Sequence, residues 1–387
     1  MDAMHLSIFG RRVRVEPGLG VAGRVLREEL AAYPPWDALP GTPAAGGAAP
    51  EADYALTFGA PEMSPVVLAN PSSHPEGTDG FTARYTMASV EHRWRGGRLH
   101  ALGVRVHRPA SGLWRAAQRA ADVQFASREA RAGMIAHELA LVPAAVLDEG
   151  RLPVHASGLQ APDGGVLLLG GTGGVGKTSL CLELGRGAGY RFLADDIAVM
   201  DAGGGAASGP GARGHVYPNL AYPKVYAYNV TGHGGLRAAV LGGRGALDRL
   251  HWAAHKARGL DKVRRRVPPD ALYGPPSAGG PLARYVVLTR ENRDDLELAP
   301  LGADEAAALS VRVLQTEFAA FLTHLHFHAY NRRLITMPPI ATPEAVAARW
   351  REGLAAVFAG VDCQVARIPM GMDHGRFRRE MRAALVG

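Results

Sequence analysis

The sequence predicts an α/β fold, in which a core of mixed sheet with flanking helices follows a β-rich N-terminal domain. Short runs of alternating apolar and polar residues fill the N-terminal part of the chain. An apolar strand, a glycine-rich loop and a helical pattern then follow one another, and strand-like and helix-like runs alternate towards the C-terminus. These patterns predict a β-rich domain at 1–112, a helical connector at 113–150 and the α/β core at 151–387.

The composition is that of an ordinary globular protein. At 387 residues, of which 47% are hydrophobic and 20% charged, the chain is long enough to bury a large core. Its two cysteines, Cys181 and Cys363, cannot form a disulfide framework and favour a reducing compartment. We find no secretory signal at the N-terminus and no run of ~18 apolar residues that would cross a bilayer. We therefore expect a cytoplasmic protein with no membrane partner.

The N-terminal elements are predicted from alternation and from turn residues. Paired glycines suit the tight turn of a hairpin, and Gly96 and Gly97 stand between two long apolar-alternating runs. The elements expected here are strands at 5–16, 54–58 and 65–68, a low-complexity loop at 40–52, and the two hairpin strands at 81–94 and 99–108.

The remaining elements follow from a change to helical periodicity. Pro143 is expected to divide the helical stretch 114–147, because proline lacks the N–H that an inner helical turn needs. Thr342 and Pro343 suit the N-cap and first position of a later helix. The full expectation is strands at 166–169, 191–200, 283–289 and 363–368, a loop at 201–214, and helices after residue 178, at 303–330, from 343 to about residue 360, and in the basic tail.

A phosphate-binding motif organises the core. Residues 171–178 match G-x-x-x-x-G-K-[ST], in which glycines let the backbone wrap a phosphate chain and the next helix adds its positive end. A lysine here reaches the β- and γ-phosphates, and the hydroxyl after it can bind Mg²⁺. The motif predicts binding of a nucleoside triphosphate by Gly171, Thr172, Gly173, Gly174, Val175, Gly176, Lys177, Thr178 and Ser179.

Two adjacent carboxylates, Asp195 and Asp196, lie one helix further on, in the middle of a predicted strand. Phosphoryl transfer to a hydroxyl needs a group that holds Mg²⁺ and a group that takes the hydroxyl proton. Neighbouring residues on a strand point to opposite faces, so the two aspartates need not share one task. The other interpretation is a polar strand end, or a single metal-site aspartate with a bystander.

Three runs, VHASGL, VLLLGGTGGVGKTSLCLEL and FLADDIAVM, resemble the catalytic domain of the HPr kinase/phosphorylase family. The likeness covers 155–200 and is closest to the divergent branch found beside peptide and natural-product biosynthesis, with a nucleotide core similar to that of phosphoenolpyruvate carboxykinase. It implies a P-loop kinase domain that uses ATP and Mg²⁺. It further implies that Asp195 receives the acceptor's proton, that Asp196 is a metal-site carboxylate alongside Thr178, and that His155 faces the active site.

We therefore predict an ATP- and Mg²⁺-dependent phosphotransferase whose acceptor is a Ser or Thr hydroxyl of a peptide or protein. A kinase for a small metabolite, such as a sugar or an amino acid, stays open, as does a regulatory P-loop NTPase that uses water. A GTPase is disfavoured because the sequence contains no N-K-x-D guanine motif. Nucleic-acid binding is also disfavoured: the net charge is +7, but basic residues form only one compact run, at 262–266. A homo-oligomer is compatible with the sequence.

Other polar residues have ordinary alternatives. Without the resemblance, His155 reads as a core histidine. The histidines of the HLHFH run, His324, His326 and His328, lack the glutamate of an H-E-x-x-H zinc site and are expected on a core or polar face.

Several cations are candidates for contacting transferred phosphate, and the sequence does not choose among them: Arg284, Arg290 and the basic run 262–266. Cys181 is expected to be a packing residue inside the helix after the loop.

Overall fold

The structure is a computed structural model that describes residues 2–36, 51–59, 64–107, 111–201, 214–231 and 234–386. The strands in these ranges are β1 Met4–Ile8, β2 Arg11–Glu16, β3 Tyr54–Phe58, β4 Leu68–Ala69, β5 Pro75–Glu76, β6 Gly80–Arg84, β7 Ala88–Arg95, β8 Arg98–Val106, β9 Arg151–Val154, β10 Ala156–Gln160, β11 Val166–Gly170, β12 Arg191–Ala194, β13 Ala198–Asp201, β14 His215–Tyr217, β15 Lys224–Tyr226, β16 Arg264–Arg266, β17 Gly280–Glu291, β18 Glu297–Pro300 and β19 Asp362–Pro369.

The helices in the same ranges are α1 Gly20–Leu30, α2 Gly112–Ala121, α3 Ala132–Ile135, α4 Val142–Leu147, α5 Lys177–Gly187, α6 Ala227–Val230, α7 Gly234–Leu241, α8 Ala246–Arg258, α9 Pro269–Tyr273, α10 Ala303–Glu317, α11 Ala319–Leu334, α12 Pro343–Phe358 and α13 His374–Val386. Strands and helices are thus mixed along the chain, and the protein is of the α/β type.

The chain forms two compact units. Unit 1 comprises Met1–Pro109, Arg128–Arg151 and Gln315–Arg349, and unit 2 comprises Ala110–Ser127, Leu152–Leu314 and Trp350–Gly387. The boundaries of these units differ from those of the predicted domains at 1–112, 113–150 and 151–387. The predicted domains remain a prediction.

Unit 1 is built on a sheet of β1 to β8 in the order β1-β2-β3-β8-β7-β6-β5-β4. The strands β2, β3 and β8 run parallel to one another, and the other neighbours are antiparallel. Alternate side chains of β3 are buried, so one face of the strand is closed off from water. Helix α1 contacts α3 within the same unit.

One helical stretch of unit 1, Glu129–Leu147, is long and apolar enough to cross a membrane by length and composition alone, with a mean hydropathy of 1.3. This corrects the sequence analysis, which found no such run. Seventy-two per cent of its apolar window is buried inside the protein. The core helix of a soluble protein passes the same test, because a helix surrounded by protein is also apolar on most sides.

Unit 2 carries the second large sheet. Its order is β12-β10-β11-β17-β14-β13-β9, with β19 paired to β17 and β18 paired to β19. Strand β10 is antiparallel to both β11 and β12, whereas β17 is parallel to β11 and to β19. The carboxyl ends of β11, β12, β17 and β19 therefore meet at one edge of the sheet, together with the start of β10. Ligands of such sheets bind at this edge.

A buried apolar cluster supports the segment β11–α5 from behind. Most of its members come from β11, α5, β17, β19 and α13, and they include Leu169, Leu180, Cys181, Val286 and Phe377. Cys181 is fully buried, which confirms it as a packing residue, and burial raises the pKa of its thiol. The loop between β11 and α5 is thus mounted on a packed core.

Several predicted elements are confirmed and others are wrong. Strands β3, β11, β17 and β19 and helix α12 lie where expected, and Thr342 caps α12 through its hydroxyl. The strand expected at 5–16 is a hairpin, β1 and β2, because Phe9 and Gly10 turn the chain with positive φ. The helix expected at 303–330 is divided into α10 and α11 at Phe318.

Tertiary packing also overrides local pattern elsewhere. Helix α1 lies in a region expected to be mostly β, and residues 65–67 form no strand. The stretch 114–147 is interrupted at 122–128 and not at Pro143, which lies inside the continuous helical stretch Glu129–Leu147, just after its π-helical segment Ala136–Leu141. The loops expected at 40–52 and 201–214 lie mostly outside the described residues.

Candidate functional site

The loop between β11 and α5 needs glycine at defined places. Gly171 and Gly176 have φ of +119° and +117°, in the region that side chains rarely adopt. A Cβ on Gly171 would lie 2.5 Å from the carbonyl oxygen of Leu288, and one on Gly176 would lie 2.6 Å from the ring of Phe377. Residues 172–174 between them are exposed, and a Cβ on Gly173 would meet nothing within 4 Å. The loop is tightly held at both ends and open at its crest.

Lys177 begins α5 and folds back over this loop. Its side chain is buried, and the ammonium donates to the carbonyl oxygens of Gly171 and Thr172 at 2.8 and 2.9 Å. The third contact of Nζ is Nε2 of His155, at 2.9 Å. Because an ammonium only donates, Nε2 accepts this hydrogen bond and the ring proton of His155 lies on Nδ1.

His155 comes directly before β10, and its neighbour Ala156 pairs with Gly170 at the end of β11. That register brings the imidazole to the base of the loop. Burial, together with the charge of Lys177, lowers the pKa of His155 to about 4. The ring is therefore neutral at pH 7, and its Nδ1 lies 3.9 Å from a carboxylate oxygen of Asp196.

Asp195 follows the end of β12 at the same sheet edge. It is only 7% exposed, and Oδ1 accepts hydrogen bonds from the hydroxyls of Ser157 at 2.7 Å and Thr178 at 2.9 Å. Burial raises the pKa of Asp195, and the neighbouring charge of Asp196 raises it further. This carboxylate can take up a proton more readily than an ordinary aspartate.

Asp196 differs from Asp195 in its backbone conformation, its exposure and the direction of its pKa shift. Its backbone has φ of +109°, a conformation that costs an aspartate energy and is typical of functional positions. Its side chain is 47% exposed, and Oδ2 accepts a hydrogen bond from Lys224 Nζ at 2.9 Å. Desolvation acts to raise the pKa of Asp196, but the charge and hydrogen bond of Lys224, together with contributions from His155 and Lys177, outweigh it and hold the pKa below its usual range.

The aspartates therefore do not sit within a strand, as the sequence suggested. They form the bend between β12 and β13, so strand alternation does not orient them. The bend itself separates them: one carboxylate is turned into the protein towards α5 and the other outwards towards Lys224.

The other predicted loop residues have mainly structural surroundings. Val175 is buried in the apolar cluster behind the loop. Ser179 is buried, and its hydroxyl accepts a hydrogen bond from Asn229 Nδ2 at 2.7 Å, away from the loop crest. Asn229 in turn accepts from the backbone N–H of Tyr226, which ties α5 to the start of α6.

Two residues beside the carboxylates were missed by sequence reasoning. Ser157 lies two positions after His155, inside the matched run VHASGL, and strand alternation from His155 could have found it. Lys224 lies 28 positions after Asp196, and no local pattern connects the two.

The candidate arginines divide into three groups. Arg284 is engaged with Gln364 and Asp362 along β19. Arg290 lies over the ring of Phe377, 5.4 Å from its centroid, directly behind the loop. The basic run becomes β16, which pairs with β15 so that Arg266 stands opposite Lys224.

The three histidines of the HLHFH run belong to unit 1. His324 and His328 are buried and His326 is exposed, as expected for core and polar-face residues. Within the described residues, no group of three or more His, Cys, Asp or Glu side chains is arranged to hold a metal ion.

Comparisons with known proteins add little to this geometry. No protein-family model and no curated protein matches the chain. Among solved structures, it is similar to the Hpr(Ser) kinase/phosphatase from Coxiella burnetii, with 11% identity, a TM-score of 0.21, and coverage of 61% of this chain and 99% of that one. Because both identity and TM-score are low, the chemistry of the site has to follow from its own residues.

Proposed function

We propose that this protein is an ATP- and Mg²⁺-dependent phosphotransferase that moves a γ-phosphoryl group to a hydroxyl, that of a Ser or Thr in a peptide or protein. One observation carries the proposal: Lys177, Thr178 and two carboxylates of opposite pKa shift converge beside an exposed glycine loop. The sequence resemblance to the HPr kinase/phosphorylase family supports the same reaction.

The residues present fit a triphosphate chain and its metal ion. The crest of the loop has room, since a Cβ on Gly173 meets no atom within 4 Å, and the N-terminal end of α5 directly follows it. Lys177 would exchange its loop carbonyls for phosphate oxygens. Thr178 offers a hydroxyl and the aspartates offer carboxylate oxygens, which are the ligands that Mg²⁺ prefers.

The opposite pKa shifts support a division of labour between the carboxylates. Asp195, with its raised pKa, is proposed to take the proton of the acceptor hydroxyl as the hydroxyl oxygen bonds to phosphorus. Asp196, kept ionised by Lys224, supplies a constant charge for the metal ion. The hydrogen bond from Thr178 to Asp195 favours the reverse assignment, in which Asp195 helps to hold the metal. If Asp196 holds the metal ion, Asp196→Asn should weaken metal binding more. If Asp195 holds it, Asp195→Asn should do so.

His155 and Lys177 complete the chain's own contribution. The neutral imidazole accepts a hydrogen bond from the lysine and so orients the ammonium towards the loop. Bound ATP with Mg²⁺ would supply the phosphoryl group that is transferred. The reaction leaves ADP, a phosphorylated acceptor and one proton.

Transfer of label from γ-labelled ATP tests the proposal. The protein is incubated with Mg²⁺ and a cell extract divided into protein, peptide and small-molecule fractions. Asp195→Asn is expected to lower transfer by about 10²- to 10⁴-fold, the range for loss of a general base. The matched control is Asp163→Asn in the exposed turn between β10 and β11, which should transfer at the wild-type rate.

The fraction that takes up label distinguishes the acceptors. Label in small molecules alone would identify a metabolite kinase. Label released only as free phosphate, at the same rate with and without extract, would contradict phosphotransfer and favour a P-loop NTPase. For the metal, Mn²⁺ binding followed by electron paramagnetic resonance should be weakened more by Asp196→Asn than by Asp195→Asn, and the opposite order would reverse their roles.

A further inference from the structure

Arg290 lies on the face of the second sheet that supports the glycine loop. It belongs to β17, where alternate residues share a face, and Val286 and Leu288 of that strand are members of the apolar cluster beneath β11 and α5. Arg290 is the next residue on this face. Gly170, the last residue of β11, pairs with Val287, so Arg290 lies three positions beyond the end of β11. It is therefore alongside the loop and not alongside the strand that precedes the loop.

Two contacts connect the surroundings of Arg290 to both ends of the loop. At the first end, the carbonyl oxygen of Leu288 would lie 2.5 Å from a Cβ on Gly171. At the other end, the ring of Phe377 would lie 2.6 Å from a Cβ on Gly176, and the guanidinium of Arg290 is 5.4 Å from the centroid of that ring. Arg290 thus extends from the strand that contacts one end of the loop and lies over the ring that contacts the other.

The guanidinium of Arg290 is half-buried and forms no ion pair with a carboxylate of the described residues. Its contacts are the ring of Phe377 and the carbonyl oxygen of Pro369, to which Nη1 donates at 3.5 Å. Neither group carries a charge. An aromatic ring orients a guanidinium without neutralising it, so Arg290 is held in place beside the loop as a cation.

Other arginines at this edge of the sheet are paired. Arg293 follows β17 and forms an ion pair with Glu297 at 2.7 Å, and Arg367 of β19 forms one with Glu291 at 2.9 Å. Arg290 therefore differs from them in having both a position beside the loop and a charge that no described carboxylate pairs with.

The order of the sheet places Arg290 on the side of the loop away from the carboxylates. Strands β10 and β12, which position His155 and Asp195, lie on one side of β11, and β17 lies on the other. Transfer at Asp195 would place the γ-phosphate on the first side. A triphosphate that follows the loop from there has its α-phosphate towards β17 and Arg290.

We propose that Arg290 binds the α-phosphate of the nucleotide, at the end of the phosphate chain that is not transferred. This inference rests on the proposed function and adds a residue to its site. Arginine suits the task because its planar donors match two oxygens of a phosphate. The α-phosphate is common to ATP and ADP and does not react. Arg290 therefore contributes to the affinity for both nucleotides and little to the rate of transfer once ATP is bound.

Isothermal titration calorimetry with a non-hydrolysable ATP analogue and with ADP, each with Mg²⁺, tests the inference. Arg290→Gln is expected to weaken both ligands by the same factor, about tenfold or more, as for the loss of a hydrogen bond to a charged group. Arg290→Lys keeps the charge without the planar donors and should lose less. In the label-transfer assay, Arg290→Gln should raise the KM for ATP by a similar factor with little change in kcat.

The control removes the same charge from the opposite face of the sheet. Ala366 and Ile368 of β19 belong to the cluster beneath the loop, so Arg367 between them lies on the other face. Arg367→Gln should bind both ligands as the wild type does. Equal loss in this control, or unchanged binding in Arg290→Gln, overturns the inference. If Arg290→Gln does not fold, Arg290→Met keeps an unbranched stem over Phe377 and should show the same loss of affinity.

The choice of ligand distinguishes the α-phosphate from the rest of the nucleotide. A loss confined to the ATP analogue, with ADP unaffected, would place Arg290 at the γ-phosphate and overturn the inference. An equal loss for adenosine, which has no phosphate, would place it at the nucleoside and also overturn it. The outcome is separate from that of the proposed function. Loss of affinity without any label transfer in the wild type would contradict phosphotransfer alone, and transfer with unchanged affinity in Arg290→Gln would contradict only the role of Arg290.

Discussion

Both units bury charged side chains, but they do so differently. In unit 1, Glu76 accepts a hydrogen bond from Arg332 at 2.7 Å and lies 3.0 Å from Nδ1 of His328. The second nitrogen of His328 accepts from the backbone N–H of Ile340 at 3.0 Å. These three side chains are at most 3% exposed. Each charge meets a partner inside the protein, which is the arrangement of a structural ion pair.

In unit 2, Lys177 and Asp195 are nearly as buried, yet the exposed crest of the loop and the half-exposed Asp196 lie beside them. Lys177 donates to two backbone carbonyls and to a neutral imidazole, and its charge also acts on the carboxylate of Asp196. Asp196 adopts a strained backbone, whereas Glu76 lies in a regular strand. Burial alone therefore does not indicate function. The group in unit 2 is distinguished by the exposed loop beside it, by the strained backbone of Asp196 and by loop carbonyls at Lys177 that a ligand could replace.

The largest effect is expected when the buried group of Glu76, His328 and Arg332 in unit 1 is disrupted. Glu76→Gln leaves Arg332 buried without its carboxylate, which typically costs about 3–5 kcal/mol of unfolding free energy. Urea unfolding would measure the loss. Replacing both residues by apolar ones, as in Glu76→Met/Arg332→Met, should cost clearly less, because no charge is then left unpaired. An equal loss in the single and double variants would contradict the structural role of the ion pair.

A smaller effect is expected from substitutions in the loop between β11 and α5, and it should differ between the crest of the loop and its ends. Gly173→Ala adds a methyl group where nothing lies within 4 Å, so stability should be unchanged or slightly higher. The methyl group would occupy the space assigned to phosphate, and ATP affinity should fall about tenfold, or about 1.4 kcal/mol. Isothermal titration calorimetry measures the affinity.

Gly171→Ala is the matched comparison, because its Cβ would strike the carbonyl of Leu288 at a positive φ. That variant should lose stability as well as affinity. Unchanged ATP affinity in Gly173→Ala would show that the crest of the loop does not contact the bound nucleotide.

The smallest expected effect concerns pH. A proton acceptor works only when ionised, so transfer by Asp195 should decline as pH falls through its raised pKa. The charge of Lys224 acts to lower this pKa and that of Asp196 acts to raise it. Lys224→Met should therefore move the acid limb of the pH–rate profile to higher pH, and Asp196→Asn should move it to lower pH.

The exposed Arg351→Gln should leave the limb in place. A limb that moves in the same direction in both site variants would identify another titrating group. The rate is compared at saturating ATP so that binding does not enter the profile.

The order of strands, turns and helices could be predicted wherever the residue pattern that specifies them lies within one continuous segment. The strand, glycine loop and helix of β11–α5 need only neighbouring residues, and the structure has them where the pattern indicated. The hairpin turn at Gly96 and Gly97 is confirmed for the same reason, whereas the single strand expected at 81–94 is divided into β6 and β7. The bend at Asp195 and Asp196 was not predictable, because the apolar residues on both sides continue the strand pattern and the positive φ of Asp196 is imposed by its surroundings.

The sequence by itself determined the α/β class and the strand, glycine loop and helix around Lys177, since these depend on periodicity and on spacing within a few residues. Only the tertiary structure decided which side chains share the site. The register of β10 against β11 brings His155 to Lys177, and the placement of β15 brings Lys224 to Asp196. Such contacts join residues far apart in the chain, and packing of whole elements selects them, so no local pattern contains them.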